Sequence, residues 1–479
     1  MAHEAEFNVT ITNAQQRTTL TISVIVGITL LVITGLTFLV QPMAEDLDLP
    51  NITVELALVA PSIAALLVVF AAGKAGDWFG ERKTIIAAGM VFTLGALILA
   101  SANMDPAVII GLAMCGAGSA VIQVVALSLL KRTTSDGTPR VRAFTTFGMV
   151  FPAAFLVFPI GTSFLLGFVN WRWVPVIWSV GGVVVVVMSL LLLNRDRPRT
   201  GSGEWASPIL AGIALATGSR MLHEIGRQDE NPIIIAMTAT FCTVASLACM
   251  IVMKRASHPG LSLRPLMGAM VRPLLIGIAI IALIQILTYI YIALRYFYDM
   301  SPLEASLAIA PAQLGAVIGA KVVASRAIHM WGVSRSGRDL LLLTGLVMLL
   351  LVFVQSGTPA WYLILVATAF SLTGMAAITV MNLDIMGRAP EGSAGIVSSF
   401  RTAASSLGAA MSMVVLGVAV LSSVSIAGGS GGIDETQMEA LASALRTDGV
   451  IGFVIAVTGW AILYLSGRRF RAAIRVRAL

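Results

Sequence analysis

The sequence has few charged residues for its length: only 11% of its 479 residues are Asp, Glu, Lys or Arg, whereas 57% are hydrophobic. A soluble chain of this size needs long polar surface stretches, so the composition excludes a soluble globular protein. Cysteine is also scarce, and Cys115, Cys242 and Cys249 fall inside apolar stretches, where we expect packing rather than disulfides or metal binding. No Gly-Lys-Ser/Thr sequence occurs, so no ATP site is predicted, and no His/Asp/Glu constellation indicates a metal; we therefore predict no cofactor.

Apolar runs of about 20 residues instead recur almost from end to end of the chain. Strands of a membrane barrel would be about ten residues long and would alternate in polarity, so these runs predict membrane-spanning helices. We predict an all-α integral membrane protein with fourteen transmembrane helices. The predicted spans are 19–40, 54–73, 84–102, 106–130, 143–168, 173–193, 207–226, 232–253, 273–297, 302–324, 339–355, 360–386, 395–421 and 449–467.

Positive charge is distributed unevenly between the two sides of this arrangement. If the N-terminus is cytoplasmic, the outer loops hold only Arg172, Arg227, Arg295 and Arg446, and the remaining loop Lys and Arg residues lie inside. Such an excess on the cytoplasmic side is typical of bacterial membrane proteins. We therefore expect a multi-pass protein of the bacterial cytoplasmic (inner) membrane with both termini in the cytoplasm. The net charge of +7 then faces anionic lipid, so nucleic-acid binding is not needed to explain it.

Residues 73–83 read GKAGDWFGERK and form a compact charged loop between the second and third predicted spans. The simplest interpretation is a solvated, positively charged inner loop. However, the order Gly73, Asp77 and Gly80, followed by two basic residues, resembles the signature loop of the major facilitator superfamily of secondary transporters.

The order of several shorter motifs is similar to that of the fourteen-helix drug:proton antiporter family of this superfamily. These motifs are NWRW at 170–173, SPLEA at 301–305 and PEGSAG at 390–395. The resemblance implies the major facilitator fold, with two six-helix bundles and an inserted pair of helices. The domains implied are an N-terminal bundle, the inserted pair and a C-terminal bundle, at 1–200, 201–260 and 261–479.

The resemblance also implies a conformational switch at the signature loop. Asp77 would lie at the N-terminus of the helix beginning near 392–395, where a carboxylate gains up to about 1 kcal/mol or more. Glycines would allow tight turning and close backbone approach, and basic side chains would support the contact by ion pairing. The implied switch residues are Gly73, Gly76, Asp77, Gly80, Arg82 and Lys83.

The proton-coupling motifs of the family are degenerate in this chain. The first span has no acid, and Leu112 stands where proton-coupled relatives have an arginine, four residues before Gly116. The glycine-proline motif of the fifth helix survives only as FPIGT at 158–162, although its proline can still kink the helix. The predicted gating residues are Pro152, Pro159 and Gly161.

Other ionisable residues in the predicted spans are therefore candidates for coupling, because such groups are costly in a bilayer and seldom idle. Asp384 and Arg401 could pair between antiparallel helices, although a structural salt bridge explains them equally. Glu224 and His223 belong to a set with Arg220 and Arg227 at spacings of three and four, which places the set on one helix face, and His223 could titrate near neutral pH. Snorkelling to the outer interface is the alternative for this second pair.

Polar residues in otherwise apolar spans are candidates for a substrate cavity. An apolar cavity with few charges suits a lipophilic solute better than a sugar or an anion. Packing in the core is the alternative for each residue. The candidates are Gln123, Gln285, Tyr289 and Gln313.

The sequence thus predicts a secondary transporter that exports amphipathic drug-like or lipid-like compounds, with protons as a possible second partner. We expect no enzymatic activity, a monomer, contacts with membrane lipids and no nucleic-acid partner. Two alternatives remain: a dedicated exporter of one cell-envelope lipid or metabolite without standard proton antiport, and a membrane sensor or intramembrane enzyme. Between the last two spans, the sequence also predicts a short surface helix from Asp434 to Leu445.

Overall fold

A computed structural model of the chain describes residues 13–195, 203–225, 232–261, 271–284, 286–296, 298–390, 393–412 and 435–477. Helix follows helix along these ranges, and none of their residues forms a strand. The prediction of an all-helical protein is confirmed. The helices divide into two compact units.

The first unit contains the helices of the first half of the chain and a segment from near its end, residues 386–406. Its helices are α1 (Asn13–Thr29), α2 (Leu31–Asp46), α3 (Asn51–Phe79), α4 (Glu81–Ala100), α5 (Asp105–Thr133), α6 (Thr138–Gly148), α7 (Val150–Leu166), α8 (Trp173–Leu192), α9 (Ala206–Ile225) and α10 (Pro232–Arg255).

The second unit contains most of the remaining chain, residues 266–385 and 407–479. Its helices are α11 (Val271–Ile284), α12 (Ile286–Tyr296), α13 (Pro302–Ile318), α14 (Ala324–Trp331), α15 (Val333–Met348) and α16 (Ala360–Gly387), followed by α17 (Ala394–Ser412), whose first part belongs to the first unit, and α18 (Glu435–Arg477). A π-helical turn, Gly319–Val323, joins α13 to α14, and a 3-10 turn, Leu349–Phe353, extends α15.

Twelve helices in the described ranges are long and apolar enough to cross a membrane. Twelve of the fourteen predicted spans have a counterpart among them. The other two predicted spans, 207–226 and 395–421, correspond to α9 and to the described part of α17. A count of about twelve candidate spans is therefore established for the described residues.

One hydrophobic core cluster of the first unit includes residues of α4, α5 and α8. Phe92, Leu112 and Trp178 are almost completely buried there and belong to one hydrophobic cluster. Leu112, which stands where proton-coupled relatives have an arginine, is thus a core residue in this protein.

The predicted loop at residues 73–83 is largely helical, which corrects the sequence-based interpretation. α3 continues to Phe79 and α4 begins at Glu81, so that Gly80 alone separates them. Gly80 has φ 97° and ψ 147°, a conformation that is essentially restricted to glycine. This single residue makes the change of chain direction between α3 and α4 possible. The charged residues on either side of it belong to the two helices.

The same break recurs in the second unit between α14 and α15. Gly332 has φ 74° and ψ 162° there. In both places a hydroxyl four residues later, that of Thr84 or Ser336, donates to the carbonyl oxygen of the glycine, at 2.8 and 2.7 Å. The two halves of the chain therefore share this turn in backbone geometry, although few residues are identical between the two sequences here.

The predicted short surface helix before the last span is not a separate element. Glu435–Arg477 is one helix of 43 residues, and the predicted span 449–467 is only its middle part. Leu441 and Leu445 are buried, so the apolar face of the helix extends well before Gly449. Gly449 itself packs on the Met348 carbonyl, which explains why a glycine occurs there without ending the helix.

Candidate functional site

α3 and α17 approach each other closely at two glycines. A Cβ atom placed on Gly73 would lie 2.1 Å from the Ser399 hydroxyl and 2.4 Å from the Gly395 carbonyl oxygen. A Cβ atom placed on Gly395 would lie 2.4 Å from the Gly73 carbonyl oxygen. These distances are far below the contact distance of about 3.5 Å between non-bonded heavy atoms, so neither position accepts a larger residue without movement.

The Asp77 carboxylate lies against the first turn of α17. Its Oδ2 atom would be only 2.7 Å from a Cβ atom on Gly395, the second residue of that helix. The first N–H groups of a helix have no intrahelical acceptor and carry partial positive charge. Asp77 is therefore placed to stabilise the start of α17, at the helix for which the sequence predicted this contact.

Further contacts hold the first turns of α17 in the first unit. The Ser398 hydroxyl donates to the Val124 carbonyl oxygen of α5 at 2.6 Å. The Phe400 ring meets that of Phe70 on α3 edge to face, with centroids 5.1 Å apart. Lys131 at the end of α5 donates to the Ala389 carbonyl just before α17. These contacts come from α3 and α5 together.

The residues after Gly80 connect α4 to other helices of the first unit. Glu81, only 1% exposed, forms an ion pair with Arg132 of α5. The Arg82 guanidinium donates to the carbonyl oxygens of Ser189 and Leu190 at 3.1 and 2.6 Å, where α8 ends. Cations at the C-terminal end of a helix satisfy its free carbonyls and interact favourably with its dipole. Arg82 is thus placed to cap α8.

The Gly80 conformation leads to a first prediction. Gly80→Ala should lower the free energy of unfolding by about 1–3 kcal/mol, because alanine is strained at φ 97°. Thermal unfolding of the purified variant in detergent, followed by intrinsic tryptophan fluorescence, measures the change. Gly277→Ala is the matched control, since a Cβ atom on Gly277 in α11 meets nothing within 4 Å. Equal unfolding temperatures for Gly80→Ala and the wild type would contradict the prediction.

The candidate coupling residues lie in different parts of the structure. Glu224 is 1% exposed and forms an ion pair with Arg220 one turn earlier on α9, and Arg220 lies 3.7 Å from Glu55 of α3. This network holds the end of α9 near the start of α3. His223 is half-buried beside it. A coupling role for Glu224 and His223 stays a prediction.

The coupling candidates Asp384 and Arg401 lie on α16 and α17, and the switch residues Lys83 and Gly76 lie on α4 and α3. Asp384 lies near the end of α16 in the second unit, and Arg401 lies on the part of α17 that belongs to the first unit. Both are half-buried. Lys83 is exposed in the first turn of α4, and Gly76 on α3 packs against Val125 of α5, with 3.3 Å from a Cβ position to the valine.

The predicted cavity and gating residues are only partly described. Gln123 on α5 donates to the Ser119 hydroxyl at 3.0 Å. Tyr289 on α12 is buried, Gln313 on α13 is half-buried, and Gln285 lies outside the described residues. The substrate cavity formed by these residues stays a prediction.

The prolines of the fifth predicted span coincide with an irregular stretch. α6 ends at Gly148 and α7 begins at Val150, so the helix is interrupted just before Pro152. A proline lacks the N–H that would bond four residues back, which accounts for a break at this point. Pro159 lies inside α7, and Gly161 has open space around its Cβ position.

The sequence does not predict the roles of two acidic residues, Glu204 and Asp448. Glu204, before α9, accepts hydrogen bonds from Ser207 at the start of α9, from Gly260 beyond the end of α10 and from Lys74 of α3, and nothing in its polar sequence surroundings distinguishes it. Asp448 is 1% exposed on α18, and no donor in the described part of the chain lies within hydrogen-bond distance of its Oδ2. The predicted span began one residue too late to include it. A longer apolar window starting near Leu441 would have identified this acid.

Comparison with known proteins places this arrangement in a family. Residues 22–413 match the model of the Major Facilitator Superfamily. Two curated relatives are the multidrug resistance protein B homolog of Mycobacterium tuberculosis and the multidrug efflux pump LfrA of Mycolicibacterium smegmatis. The first is 23% identical over 67% of this chain and 59% of its own length. The second is 25% identical over 80% of this chain and 76% of its own length.

Solved structures agree on the fold. The human organic anion transporter MFSD10 superposes with a TM-score of 0.66 at 14% identity, covering 94% of this chain and 99% of its own. The proton:xylose symporter XylE superposes with a TM-score of 0.65 at 12% identity, covering 94% of this chain and 96% of its own. The chain spans about three fifths of the length of the M. tuberculosis relative. The family model covers most of the sequence, and the chain therefore belongs to the Major Facilitator Superfamily as a multi-pass membrane protein.

Proposed function

We propose that the protein is a secondary active transporter that exports amphipathic drug-like or lipid-like compounds by alternating access. The contact of Gly73 and Asp77 with the first turn of α17 carries this proposal, because it joins a helix from the first half of the sequence to one from the second half. A contact between backbones at glycines can form completely or not at all, as a two-state switch requires. The names of the relatives, a multidrug resistance protein homolog and a multidrug efflux pump, favour drug-like cargo.

The membrane arrangement proposed here has fourteen helices, both termini in the cytoplasm and the bacterial inner membrane as its location. α9 and α17 would complete the twelve candidate spans to fourteen. The uneven distribution of Lys and Arg supports the orientation. The Asp77 contact would then close the cytoplasmic side and favour an outward-facing state.

We propose that export is coupled to protons. The first span lacks an acid, so coupling would depend on Asp384, with Arg401, Glu224 and His223 as further candidates. Asp448 joins this group because it is a buried acid on a candidate membrane span. An ionisable side chain at such a depth is a functional-site hypothesis by default.

A liposome assay tests the proposal and gives the second prediction. The purified protein is reconstituted, a pH gradient is imposed, and the movement of ethidium is followed by fluorescence. We expect gradient-dependent movement in the wild type and its loss in Asp384→Asn, because the amide cannot carry the proton. Glu439→Gln is the control, since it removes an exposed acid that pairs with Arg446 on α18.

Asp448→Asn provides the comparison between the two acids. Loss of coupling in Asp448→Asn with normal coupling in Asp384→Asn would show that the wrong acid was chosen. Unchanged proton and dye movement in both variants would contradict coupling by either residue.

A dedicated exporter of one cell-envelope lipid or metabolite is the alternative. The absent acid of the first span and the leucine at position 112 favour it, because both usual coupling groups are missing. A folded wild-type protein that moves neither dye nor protons would support this alternative. Transport of a fluorescent lipid in the same liposomes would then be the measurement to make.

A further inference from the structure

The two ends of the inserted helix pair meet at one carboxylate. Glu204 precedes α9, and its Oε1 accepts from the Ser207 N–H at 2.7 Å. Its Oε2 accepts from the Gly260 N–H, beyond the end of α10, at 2.7 Å, and from the Ser207 hydroxyl. The Leu261 N–H donates in turn to that hydroxyl, at 3.0 Å. The chain that enters the pair and the chain that leaves it are thus tied together.

The charge of Glu204 suits this role. Burial acts to raise the pKa of Glu204, but the hydrogen bonds from Ser207 and Gly260 and the positive charge of Lys74 outweigh it, so that the pKa lies below its usual value. The carboxylate is therefore ionised at neutral pH. Hydrogen bonds to an ionised acceptor are about twice as strong as neutral ones.

This junction is attached to α3 through Lys74. The Lys74 ammonium donates to the Glu204 carbonyl oxygen and lies 5.2 Å from the centroid of the Trp205 ring. The Trp205 ring also stacks on that of Phe79, with centroids 5.8 Å apart. A Cβ atom on Gly260 would lie 2.1 Å from the Glu204 carbonyl oxygen and 2.4 Å from the Lys74 ammonium, so no larger residue fits between the two ends of the pair without movement of the backbone.

Lys74 follows Gly73 directly, and the two residues point to neighbouring faces of α3. Phe70, Gly73 and Asp77, spaced by three and four residues, meet α17. Leu67 and Lys74, spaced by seven residues, meet the inserted pair, since a Cβ atom on Gly212 of α9 would lie 2.1 Å from the Leu67 carbonyl oxygen. The same turns of α3 therefore carry both contacts.

We propose that the contacts among Glu204, Gly260 and Lys74 act as a latch. The latch holds the inserted pair, α9 and α10, against α3 and so positions the Phe79 end of α3 for its contact with α17. The latch deepens the alternating-access mechanism proposed above and rests on it. Opening of the latch lets α3 shift, and this shift weakens the glycine contact with α17. Lys74 and Glu204 are positioning residues in this mechanism, because they act on α17 only through α3.

Hydrogen–deuterium exchange in lipid nanodiscs, analysed by mass spectrometry, tests the latch. Glu204→Gln replaces one acceptor oxygen by an NH₂ group, so at least one of the three donors loses its partner. We expect amides in residues 394–401 to exchange about tenfold faster, which corresponds to about 1.4 kcal/mol. Gly260→Ala should have the same effect, because its Cβ atom clashes with the Glu204 carbonyl oxygen and displaces the Lys74 ammonium. The measurement needs no substrate, so it is independent of the transport proposal.

Glu55→Gln is the matched control. It removes the contact between α3 and Arg220 of the inserted pair at the other end of α3, so exchange in residues 394–401 should remain that of the wild type. Faster exchange restricted to residues 203–207 and 257–261 in Glu204→Gln and Gly260→Ala would overturn the proposal. Equal acceleration of residues 394–401 in all three variants would also overturn it, because the effect would then be general loosening.

Discussion

Gly395→Ala is expected to abolish transport while the protein still inserts into the membrane. The added Cβ atom would lie 2.4 Å from the Gly73 carbonyl oxygen and 2.7 Å from Asp77 Oδ2. α3 and α17 must separate by about 1 Å to restore ordinary contact distances. Separation also removes the Asp77 carboxylate from the α17 N-terminus, at a cost of about 0.3–1 kcal/mol. The state in which these helices touch would therefore be depopulated.

Dye movement in liposomes, normalised to the amount of reconstituted protein, measures the effect. Gly73→Ala should act in the same way, because its Cβ atom would lie 2.1 Å from the Ser399 hydroxyl. Gly27→Ala is the control, since its Cβ atom would make an ordinary 3.4 Å contact with Val150. Full transport activity in both Gly73→Ala and Gly395→Ala would show that the contact is not part of the transport cycle.

Gly116→Val is expected to prevent folding of the first unit or to destabilise it strongly. A Cβ atom on Gly116 of α5 would lie 2.2 Å from the Pro61 carbonyl oxygen and 2.4 Å from Pro61 Cα on α3. Both atoms belong to the backbone, so no side-chain rotation can relieve the clash. Overpacking of this kind costs about 1–3 kcal/mol or more, and valine adds two methyl groups to the contact.

Fluorescence-detected size-exclusion chromatography of the expressed variants measures the effect as the amount of monodisperse protein. Gly337→Ala is the control, because its Cβ atom would lie 3.4 Å from Val380 and alanine favours the helix by up to about 1 kcal/mol. Gly116→Ala should be intermediate. Wild-type yield and unfolding temperature for Gly116→Val would contradict the close packing of α3 on α5.

The membrane fold and the family followed from the sequence because both depend on local patterns. Apolar runs of about 20 residues specify helices whatever their neighbours are, since backbone groups in lipid must bond within the helix. The signature motif identified the superfamily through the order of Gly73, Asp77 and Gly80. The ends of helices are less predictable: the apolar pattern predicts a span that begins at Gly449, whereas α18 passes through this residue.

The roles of individual charged residues could not be predicted in the same way. The Arg82 guanidinium donates to carbonyl oxygens at the end of α8, a contact that the sequence does not predict, and its support of the Asp77 contact by ion pairing stays a prediction. Glu81, not singled out, is almost completely buried against Arg132. The partner of a long side chain depends on which helix lies nearby in the fold. Glu81 and Arg132 are 51 positions apart, so the sequence does not show that they are neighbours.

The sequence by itself determined that this is a helical membrane protein and that a glycine- and aspartate-bearing segment follows its second span. Hydropathy and glycine spacing are properties of neighbouring residues, so no tertiary information was needed. Only the tertiary structure decided that the segment is helical up to Gly80. It also decided that Gly73 touches Gly395, and that Lys74, the residue after Gly73, donates to the Glu204 carbonyl oxygen just before α9. These contacts join residues more than one hundred positions apart, and packing of the folded helices alone brings them together.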